Sequence, residues 1–232
     1  NVTSLVAVQK DDKAKYLFMA TTNGTVKKTA LTDFANIRQS GIVAIKLDAG
    51  DTLSWVKKTG GEDSIIISTS MAQAIRFNEK DARPMGRATR GVRGIRLRKD
   101  DKVVGMDVLS GEDKLMLVIM ENGYGKITKS NQFSSHNRGG VGIKAGVVTA
   151  KTGKAVDVRI INSQEDDVLM ISKQGQVIRL KLSAIPVIGR STQGVRIMRI
   201  SDGDHIASIA ILPKEQVAEE PKDAVESKEA PK

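Results

Sequence analysis

Cysteine is absent from this chain of 232 residues, and only two histidines are present. The lack of cysteine excludes disulfides and thiolate metal ligands, and it favours a reducing compartment. His136 and His205 lie in different repeats without a ligand partner at useful spacing, so no metal site is predicted. No apolar run is long enough to cross a membrane and no signal peptide is recognisable, so neither a membrane span nor export is expected.

A catalytic centre is also missing from the sequence. No Ser or His stands in the context of an activated nucleophile. Paired carboxylates do recur, but they recur where one repeat passes into the next, at Glu62-Asp63, Glu112-Asp113 and Glu165-Asp166. This position indicates turns rather than acid–base chemistry. We therefore predict no catalytic residues and no metal ligands.

Basic residues are in excess. Lys and Arg number 37 against 27 Asp and Glu, which gives a net charge of +10. The last twenty residues, 213–232, hold four Lys and six acidic residues, so the body before them has a net charge of +12. This tail has almost no bulky apolar residues and is predicted to be disordered. A basic body favours a polyanionic partner, with nucleic acid first and an anionic membrane surface second.

Two sequence anchors recur along the chain in the same order. The first is a turn before a short strand, in which the turn residues follow one another at steps of 48, 51 and 52: Gly24, Ala72, Gly123 and Gly175. The second is a glycine-containing run with steps of 50, 49 and 54, at Ser40-Gly41-Ile42, Arg90-Gly91-Val92, Gly139-Gly140-Val141 and Gln193-Gly194-Val195. Such a period predicts a propeller or a solenoid in which each unit is one small sheet.

Short runs of alternating apolar residues, bounded by Gly, Asp and Asn, predict an all-β fold with four strands in each unit. The third strand of each unit is predicted within its own blade, at 42–47, 92–97, 141–145 and 195–200. Residues 2–8 have the character of a fourth strand, and we expect them to close a preceding blade. The predicted organisation is a closing strand at 1–9, blades at 10–63, 64–113, 114–166 and 167–212, and a tail at 213–232.

The basic residues fall in register from unit to unit. They occupy the second strand and the long loop after it, which is predicted at 31–40, 78–90, 130–139 and 181–193. Because stacked units would align these clusters along one edge, they are candidates for phosphate contacts. Few aromatic residues are available to stack on bases, which favours a duplex backbone over single strands. The predicted DNA-binding residues are Lys27, Lys28, Arg38, Arg76, Arg87, Arg90, Arg93, Lys126, Arg138, Arg179, Arg190 and Arg196.

Four runs of residues carry a resemblance to a known family: FMATTNGTVKKT at 18–29, TRGVRGIRL at 89–97, NGYGK at 122–126 and GRSTQGV at 189–195. They resemble the C-terminal domain of bacterial DNA gyrase A, over about residues 2–212. The resemblance implies a propeller-like β-pinwheel of six four-stranded blades, of which this chain holds four complete ones. The family's hallmark box, QRRGGKG, is absent, and NRGGVG at 137–142 resembles it only in part.

The resemblance implies a non-catalytic domain that bends duplex DNA around a basic rim without reading its sequence. The partners implied are duplex DNA, the rest of gyrase A, and gyrase B in an A2B2 heterotetramer, with no membrane. The holoenzyme would be an ATP-hydrolysing type IIA topoisomerase in the bacterial cytoplasm that introduces negative supercoils. ATP and Mg²⁺ would bind to other domains, and no cofactor is expected here. Neither Tyr16 nor Tyr124 matches the context of the nucleophilic tyrosine.

Two other interpretations stay open. The first is the equivalent domain of topoisomerase IV, which resembles the gyrase domain but tends to have fewer or degenerate blades. The second is a β-propeller scaffold that binds acidic protein partners. Sequence-independent binding of duplex DNA with a steep salt dependence would favour a wrapping domain over such a scaffold.

Overall fold

The computed structural model describes residues 2–9, 13–36, 39–111, 114–164 and 166–214. Fifteen strands and four one-turn 3-10 helices make up the regular structure of these residues, and no α-helix occurs among them. The strands are β1 Tyr16–Thr21, β2 Thr25–Ala30, β3 Leu53–Thr59, β4 Ser64–Thr69, β5 Gln73–Asn78, β6 Val92–Arg93, β7 Val103–Leu109, β8 Leu115–Met120, β9 Tyr124–Lys129, β10 Ile143–Lys144, β11 Ala155–Ile161, β12 Asp167–Ser172, β13 Val177–Lys181, β14 Val195–Arg196 and β15 Ile206–Leu212. The 3-10 helices follow the second strand of each unit, at Leu31–Phe34, Glu79–Asp81, Ser130–Gln132 and Leu182–Ala184.

The strands form four antiparallel sheets, so the all-β prediction is confirmed. The strand orders are β3-β1-β2-β6, β10-β5-β4-β7, β11-β8-β9-β14 and β13-β12-β15. Within the described residues the fourth sheet has three strands. From residue 215 onward the predicted tail lies outside the described residues, and the predicted unit boundaries stay a prediction. No described helix has the length and apolar character needed to span a membrane.

In each of the first three sheets, one edge strand is the third strand of the unit that follows in sequence. Val92 on β6 pairs with Val26 on β2, and Val195 on β14 pairs with Gly125 on β9. Ile143 on β10 likewise pairs with Ala74 on β5. The prediction that each unit keeps its third strand in its own blade was therefore wrong, and these strands are also shorter than predicted, at two residues each.

Glycine explains how the chain reaches the neighbouring sheet. Gly91, Gly142 and Gly194 precede the three short strands, and all have positive φ. A Cβ atom at these positions would lie 2.5–2.6 Å from a carbonyl oxygen of the sheet they join. A side chain would therefore keep the chain off the edge. The positions also correct the register of the third unit, because Gly142, 51 residues after Gly91 and 52 before Gly194, takes the place that we assigned to Gly140.

Two further strand predictions were wrong. Residues 2–9 form no strand, and Leu5 is 93% exposed. Residues 42–47 form none either, and Val43 is 61% exposed. In the three later units the corresponding segment pairs with the second strand of the preceding unit. Residues 2–9 form no strand with which residues 42–47 could pair in this way.

Aspartate side chains accept hydrogen bonds from the turns at one end of the sheets. Asp51 accepts hydrogen bonds from the Thr22 hydroxyl and the Asn23 amide, both at 2.9 Å. Asp101 accepts equivalent bonds from the Ser70 hydroxyl and the Met71 amide in the second unit, and Asp204 accepts one from the Gln174 amide in the fourth. Burial alone would raise the pKa of Asp51, but these hydrogen bonds hold its pKa below the usual value. These hydrogen bonds connect the first turn of a unit to the turn before its last strand.

The core lies between adjacent sheets. Phe18 of the first sheet packs with Ile67 and Phe77 of the second, and similar clusters join the second sheet to the third and the third to the fourth. The innermost strands β3, β7, β11 and β15 contact one another in that order. Consequently β6, β10 and β14 form the outer edge of the molecule.

We predict that Gly105 is required where the inner strands meet. A methyl group at this position on β7 would overlap the Val158 carbonyl of β11. Gly105→Ala should lower the free energy of unfolding by about 1–3 kcal/mol in urea denaturation, because the strands must move apart. Gly86→Ala is the control, since its Cβ would meet open space. Equal stability of the two variants would contradict the close packing.

Candidate nucleic-acid interface

The long loops of the second, third and fourth units each fold along the second strand of the preceding unit before the short strand begins. The Met85 amide donates to the Lys28 carbonyl at 2.8 Å, and His136 does the same to Arg76 at 2.8 Å. Ile188 donates to Ile127 at 2.9 Å in the third case. We call residues 84–91, 135–142 and 187–194 the edge loops. Together with β6, β10 and β14 they cover the outer edge of three successive sheets.

Basic residues recur at two positions of this outer edge. One lies five residues before the short strand, and the other is the second residue of the strand. The strand residues Arg93, Lys144 and Arg196 are exposed, and the loop residues Arg87, Arg138 and Arg190 are half-buried. Lys144 was missing from the predicted set. The corrected position of Gly142 would have found it, because Lys144 follows Gly142 as Arg93 follows Gly91.

Two of the loop arginines connect neighbouring sheets. Arg138 donates from Nη1 to the Arg93 carbonyl at 3.0 Å and from Nε to the Asp81 carbonyl at 2.8 Å. Arg190 donates from Nη1 to the Lys144 carbonyl at 3.1 Å. A guanidinium has five N–H donors, so these bonds leave others for an anion. The edge loops are thereby held at a defined distance from one another.

Three predicted lysines lie inside the protein. Lys126 is 1% exposed, and its ammonium donates to the carbonyls of Gly189, Arg190 and Thr192 at 2.6–3.0 Å. Burial, together with the nearby Arg190 charge, lowers the pKa of Lys126 to about 8.

Lys27 is fully buried in the same way under the first edge loop. Its ammonium donates to the carbonyls of Arg87, Thr89 and Ala44. Burial is the main cause that lowers the pKa of Lys27, and the Arg87 charge adds to it.

Lys28 is the third, and it belongs to a buried charge cluster around Glu79. Its ammonium donates to the Glu79 carbonyl at 2.8 Å and lies 3.8 Å from the Glu79 carboxylate. The carboxylate, 0% exposed, also accepts bonds from the Thr59 hydroxyl and the amides of Gly61 and Asp63 at 2.7–2.9 Å. Burial lowers the pKa of Lys28, and the Glu79 carboxylate opposes this shift. Sequence reasoning did not single out Glu79, which no local motif marks.

The remaining predicted residues differ in their surroundings. Arg76 is half-buried and donates weakly to the Phe133 carbonyl at 3.4 Å, and its buried Nε has no hydrogen-bond partner. Arg179 pairs across strands with Asp167 at 2.6 Å. Arg90 pairs on the surface with Asp48 at 3.0 Å, beside a groove of about 530 Å³ that Arg93 and Arg96 also line. Arg38 lies outside the described residues.

A similar groove of about 520 Å³ lies on the third sheet. Here Arg196 donates to the Tyr124 hydroxyl at 3.2 Å, and the Lys151 ammonium lies 5.5 Å from the centre of the ring. The hydrogen bond from Arg196 is the main cause that lowers the pKa of Tyr124. Tyr124 is only 6% exposed, so its ring is not available for stacking on a base. Over the described residues, no group of three or more His, Cys, Asp or Glu could hold a metal ion.

Comparisons with known proteins agree with this geometry. The family model described as "DNA gyrase C-terminal domain, beta-propeller" matches residues 15–59, 63–110, 117–162 and 166–213. DNA gyrase A of Staphylococcus epidermidis is 38% identical over 216 residues, and that of Aminobacterium colombiense is 40% identical over 204. These matches cover 92% and 88% of the chain, which spans only 24% and 25% of the length of the two relatives.

Two solved structures resemble the fold. "Structure of DNA gyrase A C-terminal domain" matches with a TM-score of 0.77 and 26% identity over 88% of this chain and 68% of the other. "Crystal structure of the C-terminal domain of DNA topoisomerase IV" matches with a TM-score of 0.80 over 88% of this chain and 63% of the other. Its 21% identity supports a common fold and nothing further.

We predict that Glu79→Gln destabilises the protein by about 3 kcal/mol in urea denaturation, because it leaves the buried Lys28 ammonium without a compensating charge. Glu62→Gln is the matched control, since Glu62 pairs with Lys80 on the surface, where such pairs contribute less than about 1 kcal/mol. Adding Lys28→Met to Glu79→Gln should recover part of the loss. Equal costs for Glu79→Gln and Glu62→Gln would contradict a buried ion pair.

Proposed function

Because this chain belongs to the family of DNA gyrase C-terminal domains, we propose that it binds duplex DNA along its outer edge and bends the duplex around the sheets. One observation carries the proposal above the others. Arg93, Lys144 and Arg196 are exposed at equivalent positions of three successive outer strands. Charges repeated by the architecture suit a polymer of repeated phosphates.

The chemistry of the edge favours the DNA backbone over the bases. Long basic side chains and the guanidinium groups of the edge loops suit phosphate oxygens, which carry no sequence information. The aromatic residue at the edge, Tyr124, is enclosed by cationic side chains and buried. Recognition of this kind is independent of sequence and strongly dependent on salt.

Curvature requires several sheets to act together. Bending 20–30 base pairs by 40–90° costs on the order of 1–6 kcal/mol. A single surface charge contributes too little to offset this, but each neutralised phosphate releases counterions and adds about 0.9 to the salt slope. Contacts on three or four sheets can therefore stabilise a bent duplex, as they do on other surfaces that wrap DNA by its backbone.

The wider role rests on the relatives, about a quarter of whose length this chain spans. We propose that the chain works with the remainder of gyrase A and with gyrase B, in an A2B2 assembly in the bacterial cytoplasm. There it would present a bent segment for ATP-dependent strand passage that introduces negative supercoils. The nucleophilic tyrosine and the binding of ATP and Mg²⁺ would belong to other domains.

The topoisomerase IV alternative is less well supported. The two gyrase A relatives are 38–40% identical to the chain, whereas the topoisomerase IV structure is 21% identical. A scaffold for acidic proteins remains the rival from another class, because a basic edge would also attract carboxylates. Binding measurements separate this rival from DNA wrapping.

We predict that replacing Arg93, Lys144 and Arg196 together by Ala weakens binding of random-sequence duplex about 10- to 100-fold at low salt. Fluorescence anisotropy at several salt concentrations should show a slope that is less steep by about 2–3 units, because three phosphate contacts are lost. The loss should be the same for duplexes of different sequence.

A triple variant of equal charge provides the control for this experiment. Lys102, Lys154 and Lys173 are exposed and lie between strands, outside both the outer strands and the edge loops. Their replacement by Ala should weaken binding much less. Equal effects of the two triple variants would show that binding depends on net charge alone and would contradict binding along the outer edge. Binding of acidic peptides in preference to duplex would support the scaffold interpretation.

A second prediction concerns Asp48, which pairs with Arg90 on the outer edge. Asp48→Asn removes a negative charge from the path of the phosphates and releases the Arg90 guanidinium. Duplex binding at low salt should become about two- to fivefold tighter. Glu62→Gln removes a surface carboxylate that pairs with Lys80 and not with an edge-loop arginine, and it should change the affinity much less. Weaker binding by Asp48→Asn would place the DNA elsewhere.

A further inference from the structure

Two buried lysines occupy the same place in their sheets. Lys27 and Lys126 are the third residues of β2 and β9, and each lies three residues after the turn glycine of its unit. The same place is taken by Ile75 in the second unit and by Ile178 in the fourth. A lysine therefore lies under the first and third edge loops, and an isoleucine lies under the second.

The ammonium group of Lys126 is surrounded by the backbone of its edge loop. Its acceptors are the carbonyls of Gly189, Arg190 and Thr192 and the Thr192 hydroxyl, at 2.6–3.2 Å. Because the loop carbonyls point inward to the ammonium group, the exposed side chains of the loop face outward. Lys27 collects the carbonyls of Arg87 and Thr89 in the same way.

The second edge loop shows what happens without such a lysine. The Ile75 side chain lies beside Gly140, where a Cβ atom would meet its Cδ1 at 3.5 Å, and backbone bonds from the neighbouring chain segment hold this loop. The Gly139 amide donates to the Gly94 carbonyl at 2.6 Å, and the Arg96 amide donates to the Gly140 carbonyl at 2.8 Å.

The first edge loop has a bond of this kind as well, since the Lys46 amide donates to the Thr89 carbonyl at 3.0 Å. The Lys27 ammonium therefore adds to a backbone bond in the first loop, while the Lys126 ammonium alone binds three carbonyls of the third.

We propose that Lys27 and Lys126 are positioning residues for DNA binding, whose ammonium groups hold the overlying edge loops in the shape that presents their arginines to phosphates. The proposal rests on the proposed function. Neither lysine contacts DNA, since both are enclosed by protein. A loop already held in its binding shape loses less conformational entropy when DNA binds, and this strengthens binding.

Titration of Lys126 gives the proposal a distinctive pH dependence. The pKa of about 8 lies below the ordinary value of 10.5, so the folded protein binds fewer protons than the unfolded chain between these values. Stability contributed by this group therefore rises with pH above 8. Over the same range the amine keeps two donors for four acceptors, which loosens the loop. Arg190 is the charged group whose field bears on this titration.

The test compares Lys126→Met with Lys129→Met in the whole chain. Both variants remove one positive charge from β9, but Lys129 is exposed. Lys126→Met should weaken duplex binding about three- to tenfold through loss of preorganisation. Its salt slope should be unchanged, whereas loss of a phosphate contact lowers the slope by about 0.9. Amides 188–194 should exchange faster in Lys126→Met without DNA, and urea denaturation checks that the variant is folded.

The pH arm and a chemical rescue complete the design. The ratio of the duplex affinity of the unmodified chain to that of Lys126→Met should fall between pH 7 and pH 9. Because the chain has no cysteine, Lys126→Cys can be alkylated selectively in denaturant and refolded. Aminoethylation restores an ammonium group and should restore affinity and amide protection, while carbamidomethylation, which adds a neutral group, should not.

The outcomes separate this inference from the proposed function. Unchanged affinity of Lys126→Met would overturn the positioning role, as would a fall in its salt slope with unaltered amide exchange. Equal recovery by the two alkylations would overturn it too. The proposed function would stand in each of these cases, provided that the triple variant of Arg93, Lys144 and Arg196 still lost binding.

Discussion

The outer edge of each of the first three sheets is completed by the unit that follows it in sequence, and the rest of the structure depends on this exchange. Two residues of β6, β10 or β14 make the pairing, and a glycine directly before them allows the backbone to approach within contact of the neighbouring strand. Exchange joins consecutive sheets through backbone hydrogen bonds as well as through the apolar clusters between them. It also carries the basic loop of one unit onto the sheet of another.

Exchange of this kind explains why charged residues are found inside a protein with a basic surface. A loop that lies over a sheet leaves its own carbonyls without strand partners, and buried carbonyls require donors. Lys27 and Lys126 supply these donors from below. Glu79 does the complementary task for the Lys28 ammonium and for two backbone amides. Charged groups thus stabilise the interior directly beneath an outer edge that is itself basic.

Regularity connects the architecture to the proposed function. Equivalent residues of successive units reach equivalent positions on the outer edge, so a single Arg or Lys per unit becomes a row. A duplex offers phosphates at regular intervals and resists bending, and a row of modest contacts is suited to hold it. Strong binding at one site would not bend the duplex.

The division into four small β-sheets could be predicted from the sequence. The turn glycines, the period and the alternating apolar runs determined it. They also determined that basic residues recur in step, because local patterns carry both kinds of information. The tertiary structure alone decided which of these residues are exposed. Lys126 and Lys144 are the same residue type in neighbouring sheets, yet one is enclosed and the other faces solvent. Their difference depends on where the loop of the next unit comes to lie, which is a contact between residues more than sixty positions apart that no local pattern specifies.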